Sequence, residues 1–371
     1  MIRWLFLPEV RMVGAFLLSL IIGLISIPVI IDVARKKNLV DMPNHRTSHK
    51  GSIPNLGGMA IFGGFSIAVL IFNVGAEAVN AAYLIAGAMV IFFTGLKDDI
   101  TELTPLKKMS GQIAAAIIII LFADIRITHL HGLFGFYEIG YFLSLIITIF
   151  LFLVIINSFN LVDGIDGLAA GLAIVSTVFF TEWFFKAGKT GLVVMGLSLI
   201  GVLFAFLRYN LLDSKYKIFM GDTGSLLIGF FLTVMTIRFN ELNIPGNTMN
   251  TVQSAPAISF AIMMIPLFDT LRLFIVRLYR KCTPFAPDRA HMHHFLLKLG
   301  FCHLNATYLL MLVNILFVLL AWEFQWLGVN RLFVLLLSSG TILTIIPIVI
   351  IYLRKRQRKM ANHPEKFAKS E

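Results

Sequence analysis

The chain has 371 residues, of which 58% are hydrophobic and only 14% are charged, and its formal net charge is +11. Because soluble domains carry roughly a quarter of charged residues, this composition excludes an ordinary soluble enzyme. Two cysteines are too few for a disulfide framework or a cysteine metal cluster. The basic residues stand between long apolar runs, where they report membrane topology rather than a nucleic-acid partner. The sequence therefore predicts an integral membrane protein that binds no nucleic acid.

Eleven apolar runs are candidate membrane helices, since a helix needs about 20 apolar residues to cross a bilayer. In chain order the runs cover approximately residues 13–31, 57–73, 81–96, 111–123, 141–157, 167–184, 190–207, 224–238, 256–276, 305–322 and 332–352. The fourth run is short, and the segment at 124–140 that follows it is loop-like. We predict an all-α polytopic membrane protein with one transmembrane domain, residues 1–352, and a basic cytoplasmic tail, residues 353–371.

The lysines and arginines predict how the chain is oriented in the membrane. If the N-terminus lies outside, the segments assigned to the cytoplasm hold 24 of the 31 basic residues. Such an excess is typical of cytoplasmic loops. We therefore expect the N-terminus outside, an odd number of crossings and a cytoplasmic C-terminus, with the tail sequence RKRQRK held against anionic lipid.

The first two charged segments lie at predicted cytoplasmic helix ends. Arg46 and His49 belong to a loop before the second run, which alone is no more than a basic loop. Asp98 and Asp99 end the third run, and Lys108 follows them. Adjacent carboxylates repel each other, so they are stable together only beside cations or water. On its own, this pair is compatible with a solvated helix end.

The segment NSFNLVDGIDG directly follows the fifth run and contains Asn160, Asp163 and Asp166. The two carboxylates are three residues apart, so they share a face if the segment is helical. Gly164 and Gly167 allow a close approach of the backbone to a ligand. Because ionisable residues at the membrane boundary are costly, two carboxylates at this depth indicate a functional site.

The segment FMGDTGS places Asp222 between glycines just before the eighth run. The Walker pattern GxxxxGK[ST] is absent from this segment, so it is not a nucleotide-hydrolysing phosphate loop. A carboxylate beside Gly, Thr and Ser at the start of a helix is nonetheless suited to hold Mg²⁺ and phosphate oxygens.

The segment DRAHMHHF contains Arg289, His291, His293 and His294 in the longest predicted cytoplasmic loop. Three histidines could indicate zinc, but their spacing lacks the HExxH pattern and no cysteine accompanies them. Arginine offers phosphate a bidentate fork, and histidine offers it further donors. A phosphate site is therefore favoured over a zinc site.

Carboxylates suited to a hard divalent ion and basic residues suited to phosphates thus converge on one predicted membrane face. Phosphoryl transfer needs both, because its catalysis is mostly positioning and charge stabilisation. The apolar helices would accommodate a lipid-borne partner. One alternative is a transporter of a lipid-linked sugar or an ion, whose charges would be expected near mid-span. Another is an inactive scaffold, which would lack part of the Asp, Lys and His set.

Five groups of motifs between about residues 30 and 300 follow the order found in a known family. They are LVDMPNHRTSH with IPNLGG, GLKDD with LKKMSGQ, NLVDGIDGLAAG, FMGDTGS, and PLFDTLR with DRAHMHHFLLKLG. On these motifs the chain resembles the polyprenyl-phosphate N-acetylhexosamine-1-phosphate transferases, a glycosyltransferase 4 family. The histidine pattern HxHH resembles the WecA/TagO branch more than the MraY branch. One departure is Asn55, where many relatives have arginine.

The resemblance implies an enzyme of the bacterial cytoplasmic membrane that transfers an N-acetylhexosamine 1-phosphate from a UDP-sugar to undecaprenyl phosphate. It implies release of UMP and a place at the start of lipid-linked glycan synthesis for the cell envelope, such as O-antigen or teichoic acid. N-acetylglucosamine is the default sugar of this branch, but relatives use other N-acetylated hexosamines. Homodimers also occur in the family, so a homodimer is a possible assembly.

The resemblance further implies a role for each matching residue. Asp222 is expected to bind Mg²⁺ or Mn²⁺, and the ion is expected to bridge to the pyrophosphate. Asp98, with Asp99 beside it, is the expected base or phosphate-positioning carboxylate, and Lys108 is the expected phosphate-neutralising lysine. The remaining matched residues are expected to bind substrate: Asn160, Asp163, Asp166, Asn210, Arg289, His291, His293, His294, Arg46 and His49.

Overall fold

Helices dominate the computed structural model, which describes residues 7–37, 39, 53–212, 215–248, 250–281 and 291–362. Its elements in chain order are α1 (Pro8–Lys36), α2 (Gly57–Phe72), α3 (Ala76–Ile100), α4 (Pro105–Ala123), β1 (His129–Leu133), β2 (Phe136–Glu138), α5 (Tyr141–Val162), α6 (Leu168–Lys186), α7 (Thr190–Leu211), α8 (Gly221–Leu242), α9 (Ala255–Ile262), α10 (Met264–Tyr279), α11 (Met292–Leu299), α12 (His303–Glu323), a 3₁₀ turn (Gln325–Leu327) and α13 (Val329–Asn362).

Each of the eleven predicted apolar runs falls on one helix, except the run at 256–276, which falls on two. In the described part of the chain, nine helices are long and apolar enough to cross a membrane. Helices α9 and α10 meet at 90°, as in a broken span or a re-entrant loop, whereas α2 has only 16 residues. The prediction of a polytopic membrane protein is confirmed. The number of crossings and the orientation stay predictions.

The all-α prediction is wrong in the loop-like segment at 124–140, where β1 and β2 form an antiparallel hairpin. Gly132 and Gly135 have positive φ angles of 81° and 88° at its turn, a conformation that glycine adopts without strain. Strands of five and three residues are too short to produce a recognisable alternation of apolar and polar residues.

Helix α1 shows how the outer helices face the membrane. Its large residues Leu17, Ile21 and Ile25 are exposed, while its small residues Ser19 and Gly23 are buried. A Cβ atom at Gly23 would lie 2.6 Å from the Cβ of an alanine in α7. Small residues let helices approach closely in lipid, where the outward face can be apolar. The exposed apolar face of α1 therefore suits contact with acyl chains.

Helix α8 is the most buried of the long helices in the described ranges, with 83% of its most apolar stretch buried against 17% for α13. Phe231 stacks on Phe65 of α2, with ring centroids 3.8 Å apart. Phe230 contacts Phe152 of α5, with centroids 5.6 Å apart. The FMGDTGS motif spans the start of α8 at Gly221. Because other helices surround α8, the motif lies next to the ends of those helices.

Candidate active site

Two glycine-containing motifs, IPNLGG and FMGDTGS, pair with each other where α8 begins. The backbone N–H of Gly58 donates to the carbonyl oxygen of Met220 at 2.9 Å. Gly221 has a φ of +71°, and a Cβ atom there would lie 2.0 Å from the carbonyl oxygen of Asn55. Only glycine fits this position. The contact uses the backbone of Asn55, so it does not depend on that residue being asparagine rather than arginine.

Asp99 holds the first residues of α8. Its carboxylate accepts hydrogen bonds from the backbone N–H groups of Asp222 at 2.7 Å and Thr223 at 3.0 Å, and from the Thr223 hydroxyl at 2.5 Å. The first N–H groups of a helix lack partners within the helix, and a carboxylate there also interacts favourably with the helix dipole. Asp99 therefore positions Asp222. Direct participation of Asp99 in catalysis stays a prediction.

Lys108 lies at the centre of a carboxylate cluster. Its Nζ is 2.8 Å from Oδ2 of Asp98 and 3.1 Å from Oδ1 of Asp222, and it donates to Oδ1 of Asn160 at 3.1 Å. The Asn160 amide in turn donates to the Asp222 carboxylate and to the Ser225 hydroxyl. Helices α3, α4, α5 and α8 thus bring together four of the residues that the sequence analysis selected.

Asp163 lies next to this cluster and lacks a cationic partner. Within the described ranges, its carboxylate takes part in no hydrogen bond or ion pair. Burial raises the pKa of Asp163 to about 7, and the negative charges of Asp222, Asp99 and Asp166 contribute to the rise. A cation or a hydrogen-bond donor from a ligand would therefore stabilise the ionised form.

Asp166 is already paired on the other side of the same loop. Its Oδ2 lies 2.8 Å from Nζ of Lys217 and 3.7 Å from Nδ1 of His303. Burial opposes ionisation of this carboxyl, but hydrogen bonds and positive charge from His303 and Lys217 outweigh it and hold the pKa below its usual value. Asp166 is therefore ionised near neutral pH, and a substrate contact there must share the carboxylate with Lys217.

Asn210 joins two active-site loops through its side-chain amide. Its Oδ1 accepts from the backbone N–H of Gly167 at 2.7 Å, and its Nδ2 donates to the carbonyl oxygen of Ile218 at 2.9 Å. The side chain is buried. Asn210 therefore fixes the loop of Asp163 relative to the start of α8, while its predicted contact with substrate stays a prediction.

Asp269 orients the histidine segment and was missed as a site residue by the sequence analysis. Its Oδ2 lies 2.9 Å from Nδ1 of His291, and its Oδ1 accepts from Nη2 of Arg272 at 2.9 Å and from the Met292 N–H at 3.2 Å. A carboxylate at Nδ1 fixes the orientation of the imidazole and leaves Nε2 for a ligand. The available signal was an aspartate inside a predicted apolar span.

His293 packs directly on the loop of Asp163. A Cβ atom at Gly164 would lie 2.6 Å from Nε2 of His293, so glycine permits this contact. Burial, together with the neighbouring His294 and His291, lowers the pKa of His293 to about 3. The His293 ring is therefore neutral, and it can offer phosphate a hydrogen bond but no positive charge.

Three of the predicted substrate-binding residues lie outside the described residues, namely Arg46, His49 and Arg289. Two further contact residues, Lys217 and His303, were missed because each is a single basic residue outside any motif. Both residues contact Asp166, and these contacts form only when separate parts of the chain come together in the fold.

Asp222 and Asp163 are the residues near Lys108 that would hold a hard divalent cation, because such ions prefer carboxylate oxygens. The carboxylates of Asp98 and Asp222 already share the Lys108 ammonium, whereas the nearby Asp163 has no cationic partner among the described residues. In the part of the chain that the structure describes, no three His, Cys, Asp or Glu side chains are arranged to hold a metal. Mg²⁺ is usually bound by one or two carboxylates together with water and substrate phosphates, and its binding here stays a prediction.

Comparison with known proteins supports the resemblance seen in the motifs. The sequence profile described as glycosyl transferase family 4 matches residues 81–240, a range that includes the Lys108 cluster and Asp163. The undecaprenyl-phosphate alpha-N-acetylglucosaminyl 1-phosphate transferase of Escherichia coli (strain K12) is 35% identical over 291 residues, which cover 76% of this chain and 75% of that protein.

Two other relatives give the same result. The probable undecaprenyl-phosphate N-acetylglucosaminyl 1-phosphate transferase of Bacillus subtilis (strain 168) is 30% identical over 333 residues, covering 88% of this chain and 90% of that protein. The undecaprenyl-phosphate alpha-N-acetylglucosaminyl 1-phosphate transferase of Yersinia pestis is 33% identical over 284 residues, covering 76% and 75%. Most of the described bundle is therefore shared with these transferases.

Proposed function

Because the chain belongs to glycosyl transferase family 4, we propose that it transfers N-acetylglucosamine 1-phosphate from UDP-N-acetylglucosamine to undecaprenyl phosphate and releases UMP. The observation that carries this proposal is Lys108 held between Asp98 and Asp222, with the unpaired Asp163 beside them. A cation surrounded by carboxylates at the end of apolar helices suits a reaction between two phosphates, one of them carried by a lipid.

We further propose that Mg²⁺, or Mn²⁺ in its place, is held by Asp222 with Asp163 and Asp98 near it. When bound, the ion supplies charge neutralisation for the pyrophosphate of the donor. Lys108 supplies a fixed positive charge at the same place, and Asn160 holds the Asp222 carboxylate in position. His291, oriented by Asp269, offers the donor a hydrogen bond.

The lipid phosphate acts as the nucleophile in this proposal. Its second pKa is about 6, so at neutral pH it is mostly a dianion and needs no strong base. One of its oxygens attacks the sugar-bearing phosphorus of the UDP-sugar and forms a new P–O bond. The bond from that phosphorus to the bridging oxygen breaks, and its electron pair leaves with UMP. Asp98 removes the residual proton or orients the acceptor through Lys108.

The test uses membranes that contain the protein, undecaprenyl phosphate and a panel of radiolabelled UDP-N-acetylhexosamines. We expect label from UDP-N-acetylglucosamine in the lipid fraction, release of UMP, and loss of transfer when a chelator is in excess. Membranes without the protein serve as the control. Preferential transfer from another UDP-sugar would replace the proposed donor, and turnover in excess chelator would contradict the proposed metal.

We also propose that this site faces the cytoplasm, because of the excess of lysine and arginine on that side. A reporter fused after Arg358 is then expected in the cytoplasm. A reporter inserted between α8 and α9, at the other end of the bundle, is expected outside. Enzymatic activity of compartment-specific reporters measures both positions. The reverse pattern would place the carboxylate cluster away from the cytoplasmic pool of UDP-sugars and contradict the orientation.

A further inference from the structure

A cavity lies at the end of the bundle opposite the carboxylate cluster. It has a volume of about 450 Å³, within the range of roughly 300–1,000 Å³ typical of ligand pockets. Arg238 lines it from α8, 16 residues after Asp222. At 1.5 Å per residue, the two side chains are about 24 Å apart along the helix. This cavity is therefore separate from the proposed active site.

Two cationic side chains in the cavity lack direct counter-ions. Neither the Arg238 guanidinium nor the Lys189 ammonium forms an ion pair or a hydrogen bond with another described residue. The carboxylates of Asp124 and Glu241 act on Arg238 only through longer-range charge. Because a half-buried arginine is stabilised by a partner that accepts hydrogen bonds, this arrangement is suited to an anionic ligand.

The one carboxylate that lines the cavity is already neutralised. Glu77 forms an ion pair with Arg11, and its Oε1 accepts from the backbone N–H of Gly191 at 2.9 Å. Glu77 therefore does not repel an anion as an unpaired carboxylate would. Its fixed position also leaves Lys189 and Arg238 to face the cavity from the start of α7 and the end of α8.

Asn73 adds a buried polar side chain to the wall of the same cavity. The residue is 6% exposed, and its buried Oδ1 has no hydrogen-bond partner among the described residues. This oxygen is covered by the protein, so Lys189 and Arg238 are the groups that a ligand in the cavity can reach.

The rest of the wall is apolar, formed by Ala81, Leu84, Leu192, Met195 and Val234. An apolar wall beside two cations, at the ends of membrane helices, fits an amphiphile better than a free ion. We propose that this cavity binds the phosphate of an anionic phospholipid, such as phosphatidylglycerol. The proposal concerns a site apart from the active site and does not depend on the proposed reaction.

The test is a titration of the purified full-length protein in zwitterionic detergent, with thermal unfolding and native mass spectrometry as readouts. Phosphatidylglycerol, phosphatidylcholine and inorganic phosphate are the three probes. We expect phosphatidylglycerol to raise the melting temperature and to remain bound, and the other two to do neither. In Arg238→Gln and in Lys189→Gln, we expect the affinity for phosphatidylglycerol to fall about tenfold, the effect of one lost charge-assisted hydrogen bond.

Arg331→Gln is the matched control, because Arg331 is an exposed arginine near the start of α13, at the same end of the bundle. It should bind phosphatidylglycerol like the unchanged protein. Without lipid, Arg238→Gln should be as stable as the unchanged protein, since it removes a charge without a direct partner. Equal stabilisation by phosphatidylcholine, full stabilisation by inorganic phosphate, or unchanged affinity in both cavity variants would each overturn the proposal. So would a loss of lipid-free stability in both variants.

Discussion

Replacing Lys108 with glutamine is expected to lower the transfer rate by about 10²–10³-fold, the usual effect of removing one preorganised charge-stabilising donor. The Lys108 Nζ lies within 3.1 Å of both Asp98 and Asp222, and it is the cation shared by the two carboxylates. Glutamine retains most of the side-chain length but supplies no charge. Transfer of label from the UDP-sugar to lipid, measured in purified protein, gives the rate.

Lys107→Gln is the matched control for this change. Lys107 is the preceding residue of α4, is exposed, and forms no ion pair or hydrogen bond from its side chain to another described residue. Its loss should leave the rate within about a factor of two, because exposed charges contribute little. Thermal unfolding should show that both variants fold. Equal rates in Lys107→Gln and Lys108→Gln would remove Lys108 from the proposed mechanism.

Part of this cluster could be predicted from the sequence because charge inside apolar runs is costly and therefore informative. Asp98, Lys108 and Asp222 each stand at the end of an apolar run. Because successive spans cross the membrane in alternate directions, these three ends are expected on the same membrane face. Asn160 carries no charge, and only the resemblance to the family selected it. The order of the motifs, rather than any one of them, identified the chemistry.

The different roles of two adjacent aspartates could not be predicted in the same way. Asp98 contacts Lys108, whereas Asp99 caps α8 through Asp222 and Thr223. Which partner each carboxylate meets depends on the rotation of α3 against α8, and Gly95 sets how closely those helices pack. Sequence spacing predicts which residues share one side of a helix. It does not predict which residues of a neighbouring helix they contact.

Asp269 shows the same limit for a bent helix pair. The apolar run at 256–276 predicts a single span, but the chain turns by 90° between α9 and α10. That turn directs Asp269 towards His291 instead of leaving it in the middle of a span. Pro266, three residues after the break at Met263, has no N–H to donate to the carbonyl oxygen of Ile262, so this proline was the available signal for the bend.

Wild-type enzyme freed of endogenous undecaprenyl phosphate and its products is expected not to incorporate labelled UMP into UDP-N-acetylglucosamine. In a direct attack, UMP returns to the sugar phosphate only by reversal from the lipid-linked product. In a two-step route, an aspartate would first displace UMP and carry the phosphosugar, so exchange would proceed without any lipid. Exchange of label in the absence of lipid therefore separates the two routes.

The structure favours the direct route through the contacts of the two candidate nucleophiles. Asp98 is 8% exposed, and both of its oxygens are engaged, Oδ1 by the Leu103 N–H at 2.6 Å and Oδ2 by Lys108 at 2.8 Å. Asp222 is 36% exposed, but its Oδ1 is held by Lys108 and Asn160. Carboxylates held by donors are weakened as nucleophiles, whereas a lipid phosphate dianion brings its own negative charge to the reaction.

Addition of undecaprenyl phosphate with UDP-N-acetylglucosamine is the positive control, since it should restore the exchange of labelled UMP in the same preparation. Asp98→Asn should retain part of the transfer activity, and this remainder should rise with pH through the range near pH 6 as the acceptor ionises. An enzyme that used Asp98 as a covalent carrier would lose all activity in this variant at every pH. Lipid-independent exchange, or a phosphosugar adduct trapped on the protein, would overturn the direct attack.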